Sequence, residues 1–180
     1  DADGNYSNPM VTTVRMNTAP IMASVIASAA LVLIDGTVTV TANVTDGDGS
    51  VNLVTFFIDV DQDGGWTGGT DIDLGVDSSS AGGWNKTLTV LSAWGTGDHH
   101  ILAAGRDNDG AWGAPAGANV RFNIAPQVTS VSVTVGGNSV SAMTHGDAVL
   151  VTAVASDSGG SVARVTFFLD NDADGEWTEG

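Results

Sequence analysis

The sequence predicts an all-β chain of antiparallel sandwiches arranged in tandem. Three observations carry that expectation. Apolar residues recur at every second position, Gly and Asp break the pattern at short intervals, and whole blocks of it occur twice. Composition agrees. The 42% of hydrophobic residues exceeds what a disordered chain carries. They are mostly Val, Ala and Ile interleaved with Thr and Ser, a strand-forming mixture. Gly is high, at 24 of 180 residues, without the three-residue period of collagen. Among the 21 acidic residues 19 are Asp, a turn residue, and only Glu176 and Glu179 are helix-forming Glu. The negative charge therefore belongs to loops.

The repeated blocks set the organisation. RMNTAP at 15–20 returns as RFNIAP at 121–126, and DADGNYSNP at 1–9 returns as DNDGAWGAP at 107–115, both 106 residues apart. VTFFIDVDQDGGWTGG at 54–69 returns as VTFFLDNDADGEWTEG at 165–180, 111 residues apart. The expected division is residues 1–17 as the C-terminal strand of a preceding repeat, 18–122 as one complete domain, and 123–180 as the N-terminal half of a following repeat. The chain then reads as a window on a longer tandem array.

Taken in order, the strands of the complete repeat begin with Val38, Val40, Ala42 and Val44, which alternate with Thr37, Thr39, Thr41 and Asn43. Val54, Phe56 and Ile58 alternate with Thr55 and Phe57. Leu88 and Val90, then HHILAA, then Val120, Phe122 and Ile124 complete the set. The second copy keeps the phase with Val149, Val151 and Ala153, then Val165, Phe167 and Leu169. Residues 1–17 supply Val14 and Met16 at the places of Val120 and Phe122. No stretch shows helical periodicity. About seven short strands in about 105 residues fit an immunoglobulin-like sandwich, with Val38, Val40, Val54, Phe56, Ile58, Val120 and Phe122 in its core. Trp66, Trp84, Trp94 and Trp112 are expected to add to that core.

The segments VTVTANVTDGDGSVNLVTFFID, GDHHILAAGRDNDGAWG and VRFNIAP carry a family resemblance. Together they resemble the bacterial immunoglobulin-like repeats of large secreted or surface proteins, over essentially the whole chain. The resemblance implies an extracellular or cell-surface location. It also implies a role as stalk, adhesin shaft, filament or surface-layer part, or as accessory module of a secreted enzyme. The Asp-rich segment DVDQDGGWTGGTDIDLG departs from the shortest members.

That segment is the strongest chemical signal. Asp59, Asp61 and Asp63, followed by Gly64, place three carboxylates at alternate positions; Asp170, Asp172, Asp174 and Gly175 repeat them. Calcium takes six to eight hard oxygens at ~2.3–2.6 Å, which such a loop can begin to supply. Asp71 or Asp73 would add to the set. An EF-hand is excluded because Thr70 stands where its Glu would be and the flanks are strands. The competing reading is a solvated turn held by Asp-to-backbone bonds. Two shorter acidic turns, Asp46–Asp48 and Asp107–Asp109, are weaker metal candidates, expected at the end where the chain enters the domain and opposite the Asp59–Asp63 loop.

Other chemistry is disfavoured. The absence of Cys removes disulfides and thiolate chemistry. A net charge of −16 makes nucleic acid and anionic membranes poor partners. His99 and His100 are adjacent in a strand and point to opposite faces, so they form no joint site, and His145 sits in a turn that the first copy builds without histidine. GDGS and GWTGG lack the strand-to-helix setting of a phosphate loop. Trp66 and Trp177 invite a carbohydrate-binding reading, against packing over the base of the loop. The expectation is thus a non-enzymatic structural array, calcium-stiffened, whose partners are neighbouring repeats of the same chain and, by strand addition, other copies. The alternative is an adhesin or carbohydrate-binding module, or an accessory domain of a secreted enzyme.

Overall fold

The computed structural model describes residues 3, 4, 6, 8–171, 173 and 175. The chain is all-β. Its strands are β1 (Ile21–Ala27), β2 (Leu31–Leu33), β3 (Thr37–Thr45), β4 (Val51–Asp59), β5 (Ile72–Asp77), β6 (Trp84–Thr89), β7 (Gly97–Asp107), β8 (Ala116–Asn123), β9 (Gln127–Val135), β10 (Asn138–Ser139) and β11 (Val149–Ser156). Among the described residues a single 3₁₀ turn, Ser92–Trp94, is the one helical element. None is long and apolar enough to cross a membrane. Three sheets result, of order β1-β3-β6, β2-β8-β7-β4-β5 and β10-β9-β11. β1 on β3, and β4 on both β5 and β7, pair antiparallel, whereas β2 runs parallel to β8.

Contacts divide the chain into two compact units. The first comprises Asp1–Ala30, Val38–Leu88 and His99–Val120. Its β3 buries Val38, Val40, Ala42 and Val44 and leaves Thr37, Thr41, Asn43 and Thr45 exposed, as a strand with one buried face requires. Val54, Phe56 and Ile58 of β4 and Val120 of β8 are also buried. Each such side chain contributes roughly 1.5–3 kcal/mol by leaving water. The two sheets meet face to face: a Cβ on Gly105 of β7 would stand 2.9 Å from Val44 Cγ2 of β3. Only Gly allows that approach.

Two expectations about aromatic residues change. Phe57 is buried although its neighbours Phe56 and Ile58 already fill the core face. It lies on the outer face of the sheet, covered by Trp66 in an edge-on contact at 5.4 Å. Of the four tryptophans expected inside, only Trp84 is buried. Trp66 and Trp112 are half-exposed, and Trp94 is of intermediate burial. Sequence period assigns a residue to a face; whether loops cover that face is a tertiary matter.

The second unit comprises Leu31–Thr37, Thr89–Asp98 and Arg121–Gly180. Val32, Val90 and Phe122 are buried in it, with Trp94 against Phe122 at 5.9 Å. Backbone bonds from Ile34 to Asn123 and between Asp35–Gly36 and Val90 fasten the short β2. Further along, β11 pairs antiparallel with β9 from Val149↔Val135 to Ser156↔Gln127. Two expected strands differ. Val165, Phe167 and Leu169 lie in a stretch that carries no strand, and Val14 and Met16 likewise. In the first copy β4 is held between β5 and β7. The sequence contains that β7 segment once, so the second copy of β4 has no such neighbour here.

Candidate metal centre

β4 ends at Asp59, and the chain returns in β5 with Ile72 paired to Ile58. The ladder therefore brings Asp59 and Asp71 to the two feet of the loop 60–71 and buries both, at 3% and 8% exposure. Asp71 closes the loop: its Oδ1 accepts the Val60 N–H at 2.9 Å and its Oδ2 the Thr67 N–H at 2.6 Å. Asp59 Oδ2 accepts the Gly64 N–H at 3.1 Å and lies 3.5 Å from His100 Nδ1. The turn needs left-handed backbone at Gln62 (φ 59°) and Gly64 (φ 82°). Glycine takes that conformation without steric cost, whereas Gln62 carries the strain of a non-glycine residue there.

One carboxylate oxygen each from Asp59, Asp61 and Asp71 lies within 4.8 Å of the others. Two oxygens on opposite sides of a calcium ion at ~2.4 Å are separated by about that distance. Asp59 Oδ1 is buried with no hydrogen-bond partner. A buried anionic oxygen left in that state is costly, and a cation beside it removes the cost. The Asp61 carboxyl is raised above its usual range, first by desolvation and then by the neighbouring Asp63 and Asp71 charges and the Asp59 carboxyl. The donor set is hard oxygen, without sulfur, which suits calcium, magnesium or manganese rather than zinc or copper. This Asp triad, with two members buried, can bind a metal ion.

The structure places the remaining candidates elsewhere. Asp63 turns into its own loop, accepting the Gly65 N–H at 2.7 Å and the Thr67 hydroxyl at 3.1 Å. Asp73 lies past the loop and accepts the Gly75 N–H at 2.7 Å. In the second copy Asp170 accepts the Ala173 and Gly175 N–H groups, and Ala173 (φ 59°) and Gly175 (φ 78°) repeat the backbone of Gln62 and Gly64. Asp172 and Asp174 lie outside the described residues.

Asp46, Asp48, Asp107 and Asp109 gather at the opposite end of β4, where Val51 pairs with Asp107. Asp48, Asp107 and Asp109 fasten the incoming chain, whereas Asp46 accepts the Asp48 N–H on Oδ1 and keeps a buried Oδ2 with no hydrogen-bond partner. Asn17 Nδ2 donates to Asp107 Oδ2 at 2.8 Å, the Thr18 N–H and hydroxyl donate to Asp48, and Arg15 pairs with Asp109. Asp107, buried, also accepts the Asp109 and Ala111 N–H groups. Its carboxyl is held below the usual range, chiefly by Asn17, and that of Asp48 chiefly by the Thr18 hydroxyl. Reading the acidic turns alone missed Asn17 and Thr18. The signal for Asn17 was the repeated Arg-x-Asn of RMNTAP and RFNIAP.

No family model matches the chain, and no curated protein matches it. Among solved structures, the fibronectin(III)-like modules of Clostridium thermocellum CbhA match at 20% identity. That match covers 56% of this chain and 94% of that one, with a TM-score of 0.38. The likeness is distant.

Proposed function

We propose that this chain is a non-catalytic, calcium-stabilised segment of a tandem array of immunoglobulin-like β-sandwiches, displayed outside the cell as a stalk, fibre or surface-layer component. The observation that carries the reading is the carboxylate of Asp59, with its Oδ1 buried and unpartnered, clustered with those of Asp61 and Asp71. Three converging carboxylates serve a cation; they offer no separated acid and base. Asp61 is exposed, so the site is incomplete and weak, in keeping with the ~10⁻⁴–10⁻³ M affinities of extracellular calcium modules. The array is supported by the repeated blocks and by the direct succession of β8 and β9, with only residues 124–126 between them. A second reading, as a binding module, is favoured by an aromatic groove lined by Phe57, Trp66 and Trp112.

Thermal unfolding in millimolar calcium, in chelator, and in sodium chloride at matched ionic strength tests the proposal. Calcium should raise the melting temperature beyond the salt control, because a ligand of the folded state stabilises it by RT ln(1 + [L]/Kd), about 0.4 kcal/mol at a concentration equal to Kd and about 1.4 kcal/mol at a tenfold excess. Asp61→Asn should remove most of the gain. Equal melting temperatures in calcium and chelator would overturn it.

A further inference from the structure

We infer that the outer face of the five-stranded sheet carries a binding groove for a neutral glycan. The groove has a volume of about 500 Å³, within the ~300–1,000 Å³ typical of small-molecule sites. Its floor is a row of paired residues, Ala104, Thr55 and Val76, running across β7, β4 and β5. Phe57 continues the floor beside Asp73. Trp66 and Trp112, 52% and 50% exposed, also line it.

A backbone irregularity builds this face. Regular alternation would send Asp73 and Val76 to opposite sides of β5. The register shifts between Phe56 and Phe57, which face Gly75 and Asp73, so Leu74 is an extra residue. The bulge turns Leu74 inward, where it is buried, and leaves Asp73 and Val76 both on the groove. Gly75, at φ 93°, and the Asp73 carboxylate on its N–H hold the bulge.

Charge selects the occupant. The chain carries −16, which opposes anionic ligands. Yet two of its five basic side chains touch residues of its lining without lining it themselves. The Arg106 guanidinium lies 6.0 Å from the Trp112 ring, and Lys86 Nζ reaches the Val76 carbonyl at 3.4 Å. A cationic side chain entering there meets the Arg106 guanidinium, which already covers one face of Trp112 and leaves its other face and Trp66 to an uncharged ligand. What remains is a locally balanced, aromatic groove with a carboxylate, a guanidinium and a hydroxyl at its margins. A pyranose matches that chemistry, having an apolar C–H face to lie on indole and a rim of hydroxyls for the polar groups. The sequence copies keep the same residue types. Thr166, Phe168 and Trp177 stand for Thr55, Phe57 and Trp66, and Tyr6 and Pro9 for Trp112 and Pro115. A tandem array would therefore bind a polysaccharide with several grooves at once.

The groove uses none of the three clustered carboxylates, so it stands or falls separately from the calcium reading. The test is calorimetry and Trp fluorescence on the whole chain, in calcium and in chelator. The probes are neutral oligosaccharides of glucose, mannose, galactose and xylose, with oligolysine as the cationic rival. At least one oligosaccharide should bind saturably. Trp112→Ala should weaken it about tenfold or more while leaving the melting temperature and its calcium response unchanged. Asp73→Asn, which can still accept the Gly75 N–H, should weaken it without unfolding the bulge. Failure of every neutral oligosaccharide to bind, preference for oligolysine, or binding indifferent to Trp112→Ala would overturn the inference.

Discussion

Asp59 sits in a position that a carboxylate tolerates poorly, 3% exposed with one oxygen lacking any hydrogen bond. Its neighbours Asp61 and Asp71 add like charge. Asp59→Asn should therefore act in opposite directions under two conditions. In chelator it removes a buried uncompensated charge and should raise the melting temperature or leave it unchanged. In calcium it removes a ligand and should lower it. Parallel shifts in both would show that the carboxylate serves a structural bond alone. Phe56, fully buried, is a plainer case: Phe56→Ala should cost roughly 3–5 kcal/mol by chemical denaturation. The alternate spacing of Asp59, Asp61 and Asp63 was legible as a chelating pattern. Which carboxylates converge was not. Asp71 joins because β5 returns in a register that puts Ile72 opposite Ile58, and both oxygens of Asp63 are taken up by the Gly65 and Thr67 donors of its own loop. The first depends on pairing between strands, not on spacing within the loop.

Elements are held at the far end of β4 by the segment 15–18, which has no strand of its own and is fixed through Asp48, Asp107 and Asp109. Because the folded Asp107 carboxyl titrates below its unfolded value of about 3.9, the stability it gives is complete above that value. It is lost as pH falls through the folded pKa. Asp48 acts in the same direction. Asp61 opposes them: its raised carboxyl favours the folded state most when protonated, a benefit that fades as pH rises through the folded pKa. In chelator, mild acidification should thus first raise the melting temperature slightly, and stronger acid should lower it. Asp107→Asn should flatten the acidic limb, and calcium should suppress the initial rise. A melting temperature that falls monotonically from neutral pH in chelator would contradict the assignment to Asp61. Strand phase was readable throughout β3 and up to Phe56 in β4, since a buried face imposes period two, but not over Phe56–Asp59, where both faces are covered. The β5 bulge was not, because an inserted residue leaves local composition unchanged and shows only in the partner strand.

At the scale of the molecule, the two copies share sequence blocks and differ in what surrounds them. β4 in the first copy is a central strand; its counterpart around Val165–Leu169 carries no strand and leaves Phe167 and Leu169 exposed. Val128, Val131, Leu150 and Val154 on β9 and β11 are exposed as well. These are the residue types that the first copy buries. An apolar strand face needs an opposing layer, and an unpaired strand needs a neighbour. The array reading supplies both from the next half-repeat. The repeat spacing places Gly180 opposite Gly69, so a chain in which residues 70–123 are appended after Gly180 restores the missing order of segments. Amides of β9 and β11 should then become strongly protected from hydrogen exchange, and a new protected strand should form at 165–169. The denaturant slope should grow with the extra buried surface, since it scales with the area exposed on unfolding. Exchange in 127–171 as fast as in the original chain would separate duplication of sequence from duplication of fold, and would remove the basis for the tandem array.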